Sequence, residues 1–371
     1  MWKFGPALKI PPGAMASLRV GFGLLWWLGS ISGKRIFGMS SRFTFRPIVV
    51  LGPTASGKTA FCHRLSQSFA EARMASEIVN LDAFQIYQGV TAGTAKPNET
   101  EITEFKYHGI DVLKPFESLD AREFARRAHE WCAQIASRGA VPLCLGGSGL
   151  YLRAFLHGLD ELPQRDDFLR TFFRENASQH SWPFVHNWLQ ALDPVRAAEV
   201  HPNDGVRIER ALEIYFLTGA LPSGQRSLTQ TLDKQECLFD CHVLHMDVPE
   251  GILKERIRTR VDLLFGQGWL EEVTKLRDEF GIEALRSWPS MRAIGYSEVL
   301  DYIEQQVMGK IREQSHLFAL KERISTLTWQ YAKRQMTWNA KERSDGKLSA
   351  DAAGVLINEK SMIEACLHFA Q

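Results

Sequence analysis

Gly52-Pro53-Thr54-Ala55-Ser56-Gly57-Lys58-Thr59 follows the apolar run Pro47-Ile48-Val49-Val50-Leu51 and leads into Ala60 to Ala72, whose pattern is helical. The eight residues fit G-x-x-x-x-G-K-[ST]. Strand, glycine loop and helix are the context in which that pattern forms a phosphate cradle. Backbone N–H groups of such a loop point at an anion, and the helix N-terminus adds partial positive charge. Lys58 supplies a full charge, and the Thr59 hydroxyl is a natural magnesium ligand. An ordinary glycine turn has no need of the flanking strand and helix. The stretch therefore reads as a polyphosphate-binding loop in an α/β protein.

Outward from the loop the alternation continues. Glu77 to Asp82 is a short strand ending in an acid, followed by the turn-rich Gly89 to Pro97. Residues 120–138 place Phe124, Ala128, Trp131 and Ile135 at helical spacing behind Asp120, a suitable N-cap. Val141 to Leu145 reads as a second buried strand, ending in Gly146-Gly147-Ser148-Gly149 before a helix from Leu150. Such alternation builds a parallel sheet flanked by helices, with ligands beyond the strands' C-terminal ends. The loop, Asp82 and Gly146 to Gly149 are expected to meet there.

From about Leu162 the pattern turns helical, broken at Pro183, Pro194 and Pro202, and Val206 to Thr218 is an amphipathic helix stopped by Gly219. A stretch of little pattern runs from Pro222 to Gln235, and Leu238 to Val248 reads as a strand returning to the sheet. Residues 162–232 are therefore expected as a helical insertion in a core made of 47–161 and 233–345, with helices over 249–280, 291–308 and 310–342 and a C-terminal tail over 346–371.

The 371 residues are 45% hydrophobic and 23% charged, values of an ordinary globular chain that argue against disorder. A net charge of +1 excludes a global field for nucleic acid, so any RNA contact must come from local patches. Cys62, Cys132, Cys144, Cys237, Cys241 and Cys366 lie far apart, as reduced thiols of a cytoplasmic protein do. Cys237 and Cys241 precede His242 and His245, but no second cysteine pair completes a zinc set, and they are expected as two small residues facing one way on a strand. Residues 1–46 contain no acid, and Val20 to Ile31 is an apolar run too short to span a bilayer. The segment reads as a targeting sequence or as the product of an upstream start, with Met39 the sensible beginning; the second reading is favoured. No stretch approaches a transmembrane span.

Asp82, at a strand end beside the loop, suits magnesium binding, general-base catalysis or a helix cap. Gln85 can hydrogen-bond a purine edge with both amide atoms. Thr54 and Lys96 are placed to reach phosphate or a bound base. Arg256 and Arg260, four apart on a helix, share a face and can clamp a diphosphate. Lys333, Arg334, Lys341 and Arg343 are interleaved with Trp329, Tyr331 and Trp338, which suits an RNA backbone and splayed bases, although aromatics at this spacing equally form core. Arg207 and Arg210 in the insertion are further candidates for phosphate contact.

Taken in series, these segments resemble the tRNA dimethylallyltransferase (tRNA isopentenyltransferase) family. The resemblance is carried by Gly52 to Thr59; Asp82, Gln85 and Tyr87; Gly93-Thr94-Ala95-Lys96-Pro97; Gly146 to Tyr151; His201-Pro202-Asn203-Asp204; Arg207 to Gly219; Pro289 to Tyr296; and Ala332 to Trp338. It covers about residues 47 to 342 and implies a P-loop NTPase-like parallel sheet with a helical insertion and a helical C-terminal region. The loop Gly52 to Thr59 would hold the diphosphate of dimethylallyl diphosphate, with Thr59 on Mg2+. The N6 amine of adenosine-37, on the 3′ side of the anticodon in tRNA, would attack the allylic carbon after the base is flipped into a channel. Asp82 would be the general base, and Lys58, Thr54 and Arg260 would stabilise the leaving group. Asp82, Ala83, Phe84, Gln85, Ser148, Arg207, Arg210, Arg292, Lys333 and Arg334 would contact tRNA. The chain departs from the family pattern at Ala83 (usually Ser), Ser148 (Thr), Val206 (Gln) and Trp329 (Arg), and it lacks the C-terminal zinc finger of some eukaryotic members. A monomer without membrane partners is expected.

Three rivals stay open at this point. A phosphate-loop small-molecule kinase gives the segments Pro289 to Tyr296 and Ala332 to Trp338 no role. An adenylate isopentenyltransferase shares the fold, but the insertion and the Lys333 to Trp338 stretch favour tRNA. A non-catalytic switch or RNA-binding module needs no base at Asp82, and no N-K-x-D guanine motif is present.

Overall fold

The computed structural model describes residues 43–147, 149–159, 162–224, 237–309 and 314–371; the expectations for residues 1–42, Ser148 and residues 225–236 lie outside these. Six strands form one parallel sheet: β1 (Ile48–Leu51), β2 (Ser76–Asn80), β3 (Tyr107–His108), β4 (Val141–Gly146), β5 (His242–Asp247) and β6 (Gly346–Ser349), in the order β3-β2-β4-β1-β5-β6. β1 lies inside, with Leu51 paired to Gly146 on one side and to His245 on the other. All four of its residues are buried, as expected for a strand covered on both faces.

Alternate strand residues feed two cores. Ile48, Val50, Ile78, Leu143 and Leu244 pack with Phe61, Leu65 and Phe69 of the loop helix Lys58–Glu71. Val49, Leu51, Val79, Cys144 and Val243 pack on the other face with Phe124 and Ala128 of Ala121–Ser137 and Phe155 of Gly149–His157. Asp120 caps Ala121–Ser137 as the sequence predicts, accepting from the Glu123 amide at 2.8 Å.

Between Gly149–His157 and β5 stand the helices Asp167–His180, Trp182–Leu192, Pro194–Glu199 and Gly205–Thr218. They share an apolar cluster of their own that includes Phe173, Val185, Leu189, Ile208 and Leu212. Gly219, at φ 71°, ends the last of them. The buried Glu213 accepts from Arg170 Nε at 2.8 Å, Arg170 Nη2 at 2.9 Å, the Asp166 amide at 2.8 Å and Arg210 Nη1. Burial would raise the Glu213 carboxyl, but these donors outweigh it and hold it down at about 2.

Three expectations need correction. Residues 346–371 are not a tail: β6 extends the sheet beside β5, and Leu348 and Cys366 enter the core under the loop helix. The folded body also begins before Pro47, because Phe45 is buried and packs tilted against Phe239, which Phe43 meets edge-on. Cys237 and Cys241 precede β5 and do not lie on it. Among the described residues no helix is long and apolar enough to cross a membrane.

Candidate active site

The loop connects β1 to Lys58–Glu71 at the C-terminal edge of the sheet, between β4 and β5. Ala55 (φ 61°) and Gly57 (φ 94°) adopt left-handed backbone, which turns the chain tightly into the helix. Gly52 has no room for a side chain: a Cβ there would lie 2.7 Å from Met246 Cβ. The Lys58 ammonium donates to the carbonyls of Gly52 at 2.8 Å and Pro53 at 2.7 Å. Burial lowers it to about 8, the charge of Arg260 adds to the fall, and Asp82 resists it. Lys58, Arg260 and Asp82 therefore form one electrostatic unit.

A cavity of about 1010 Å³ opens over this loop, lined by Thr54 to Ala60, Asn80, Asp82, Gly146, Gly147, Arg256 and Arg260. Gly52 and Pro53 lie behind it and orient Lys58. A second cavity of about 290 Å³ is lined by Phe84, Thr94, Trp269, Arg292, Ile324 and Arg334 among others. Thr54, Asp82, Arg260 and Tyr331 line both, so the two spaces adjoin at these four side chains.

Asp82 stands just past β2. Its Oδ1 accepts from the amides of Phe84 at 2.8 Å and Gln85 at 3.4 Å, which fixes the carboxylate and, among the described residues, leaves Oδ2 for a ligand. The cap and the catalytic readings thus describe the two oxygens of one group. Gln85 donates Nε2 to the carbonyls of Thr94 and Ala95, both at 3.0 Å. Only its Oε1 remains for a purine, so contact through both amide atoms is not available in this arrangement. Lys96, expected near phosphate or base, is instead a strut: its side chain is 1% exposed and pairs with Asp111 and the Tyr87 carbonyl.

Gln335 and Glu272 organise the site, although the sequence reading gave neither a role. Gln335, from the long helix Gln314–Asn339, accepts from the Thr54 amide at 2.8 Å and donates to the Gly147 carbonyl at 2.9 Å, tying the phosphate loop to the end of β4. Glu272 accepts from the amides of Thr91 at 2.9 Å and Ala92 at 2.8 Å and from the Tyr296 hydroxyl at 2.6 Å, and so holds the Gly93 loop at the second cavity. Arg256, proposed with Arg260 as a clamp, donates to the carbonyls of Ser56 at 3.3 Å and Gly354 at 2.5 Å. Arg260 makes no such bond among the described residues and faces the cavity with its charge available.

The predicted RNA-facing residues divide. Phe84, Arg292 and Arg334 line the second cavity; Lys333 is exposed on the same helix as Arg334 but outside it, with its ammonium 5.8 Å from the Trp329 ring centre. Trp329 is half-buried and packs against the cluster of Val248, Leu253 and Ile257. Ala83 is half-buried beside Asp82. Arg207 is exposed on the insertion, near Asp204 at 3.4 Å. Arg210 is withdrawn from the expected RNA surface: its guanidinium is engaged by Glu213 and, at 2.8 Å, by the Pro163 carbonyl. The Thr59 hydroxyl offers a hard oxygen donor to the larger cavity, which fits magnesium bound together with the oxygens of a diphosphate.

A phosphate loop at the switch point of a parallel sheet, with a fixed carboxylate between two cavities, defines a phosphate-loop group-transfer enzyme. The family model described as IPP transferase matches residues 85–342. A tRNA dimethylallyltransferase of Anaeromyxobacter dehalogenans (strain 2CP-C) is 40% identical over 298 residues, 80% of this chain and 93% of the relative. One from Alkalilimnicola ehrlichii is 38% identical over 297 residues, covering 80% and 88%. The crystal structure of the full-length tRNA isopentenylpyrophosphate transferase of Bacillus halodurans superposes with a TM-score of 0.56 at 27% identity, covering 88% of this chain and 96% of that one. The chain belongs to the IPP transferase family and is a prenyltransferase.

Proposed function

We propose that the protein transfers a dimethylallyl group from dimethylallyl diphosphate to N6 of adenosine-37 in tRNA, giving N6-isopentenyladenosine. The observation that carries this reading is the junction of the two cavities at Thr54, Asp82, Arg260 and Tyr331. An anion on the loop side and a planar base on the other would present their reacting atoms to each other at that junction.

The step needs a base for the nucleophile and positive charge for the leaving group. Asp82 Oδ2 takes a proton from the exocyclic amine as the new N–C bond forms to the allylic carbon. The C–O bond breaks, and its electron pair leaves on the diphosphate. Lys58, Arg260 and the loop amides receive that charge in a partly buried site, where it counts for more than in water. Magnesium, held by Thr59 and the diphosphate, would supply further charge neutralisation. Arg292 and Arg334 flank the nucleoside side, and exposed Lys333 and Arg207 are suited to the RNA backbone.

The test is incubation with labelled dimethylallyl diphosphate and either bulk tRNA or AMP. Label in tRNA supports the reading; label in AMP alone identifies an adenylate prenyltransferase instead. Label in neither, with phosphate transfer from ATP to a small molecule, would point to the kinase.

A further inference from the structure

We propose that Asn80 is a direct ligand of the diphosphate, donating from its carboxamide at the floor of the larger cavity. Asn80 ends β2 and is 0% exposed, yet it lines this cavity and not the second. Neither Nδ2 nor Oδ1 has a hydrogen-bond partner among the described residues. Two residues earlier on the same strand face, Ile78 packs into the apolar cluster with Leu143 and Phe61. An aliphatic side chain would continue that row. A carboxamide there must instead be desolvated, which is unfavourable for each unpaired group.

The surroundings say what would pair with it. Lys58, Arg260 and the loop amides make the larger cavity a place for an anion, and the Ser56 hydroxyl, 1% exposed, is a second unpaired donor of a residue lining the same cavity. Lys58 and Arg260 approach an anion from the loop and from the helix Glu250–Gly266, whereas Asn80 approaches from the end of β2. A diphosphate has enough oxygens to accept from all three directions. The carboxamide would hold the anion from the side that the cations leave open.

This rests on the larger cavity being the diphosphate site, and the experiment separates the two claims. The full chain is titrated calorimetrically with magnesium pyrophosphate, without RNA or prenyl donor. Asn80→Leu, which keeps the branching of the side chain and removes both polar atoms, is expected to bind about tenfold more weakly while melting near or above the wild-type temperature. Lys58→Ala is the comparator for the cavity itself. Wild-type affinity in Asn80→Leu together with weakened binding in Lys58→Ala overturns the assignment of Asn80 alone. No binding by the wild-type chain overturns both claims. If Asn80→Leu does not fold, Asn80→Ala takes its place, with the same loss expected and wild-type affinity again fatal to the proposal.

Discussion

Asp82 is informative because its two oxygens have different duties. Oδ1 is spent on the Phe84 and Gln85 amides, so Asp82→Asn, whose carbonyl can still accept those bonds, should preserve the local backbone while removing the base. Transfer is expected to fall by roughly 10²–10⁴ in single-turnover assays, with tRNA affinity nearly unchanged in a filter-binding assay; a variant that keeps most of its rate refutes the base assignment. Lys58 gives a pH signature. Its pKa in the fold is about 8, against an ordinary 10.5. Between these values the unfolded chain holds more protons, so this group's contribution to stability rises with pH across that window. Its charge toward a diphosphate falls over the same range. The kcat/KM for the donor should therefore decline above about pH 8, and Lys58→Arg should flatten that limb if the lysine causes it. Both residues were legible in the sequence because they sit in or beside a local pattern. Gln335 lies within the Ala332 to Trp338 segment that carries the resemblance, but its role was not legible, because its partners lie 281 and 188 positions away.

Among the elements, the Gly93 loop and the insertion show where periodicity stops being informative. A Cβ on Gly93 would lie 2.2 Å from Trp269 Cε2, with the indole itself fully buried. Gly93→Ala should destabilise the protein by about 1–3 kcal/mol, measured by urea denaturation, and should disturb the second cavity, which both residues line. In the insertion, the helix Gly205–Thr218 was readable from its spacing within one residue of its observed start. That spacing did not show that Glu209 and Glu213 are buried under Arg170, Arg174 and Arg210. Glu213→Leu leaves Arg170 and Arg210 without their shared acceptor and should cost about 3–5 kcal/mol, seen as faster amide exchange over residues 167–218 with pyrophosphate binding retained. Because the Glu213 carboxyl is held at about 2 against an ordinary 4.5, its contribution is complete above pH 4.5 and is lost as pH falls toward 2.

For the whole molecule, the alternation of strand and helix announced a parallel sheet, but not its order. β6 escaped notice because Gly-Lys-Leu-Ser is short, half polar and lies on an edge, where only Leu348 is buried. Its place beside β5 is decided by long-range pairing that no local pattern encodes. A chain ending at residue 342 should therefore lose more than an appendage: removing Leu348 and Cys366 opens the core beneath the phosphate loop, and the melting temperature should drop with the donor affinity.

The meeting of the two hollows at Thr54, Asp82, Arg260 and Tyr331 also bears on traffic. If each reactant comes and goes by its own doorway, a docked nucleic acid need not imprison the inorganic by-product. Radiolabelled pyrophosphate preloaded on the enzyme should then wash out at the same rate whether or not an RNA hairpin is seated opposite, and a rate that collapses on adding the hairpin would mean a single shared exit.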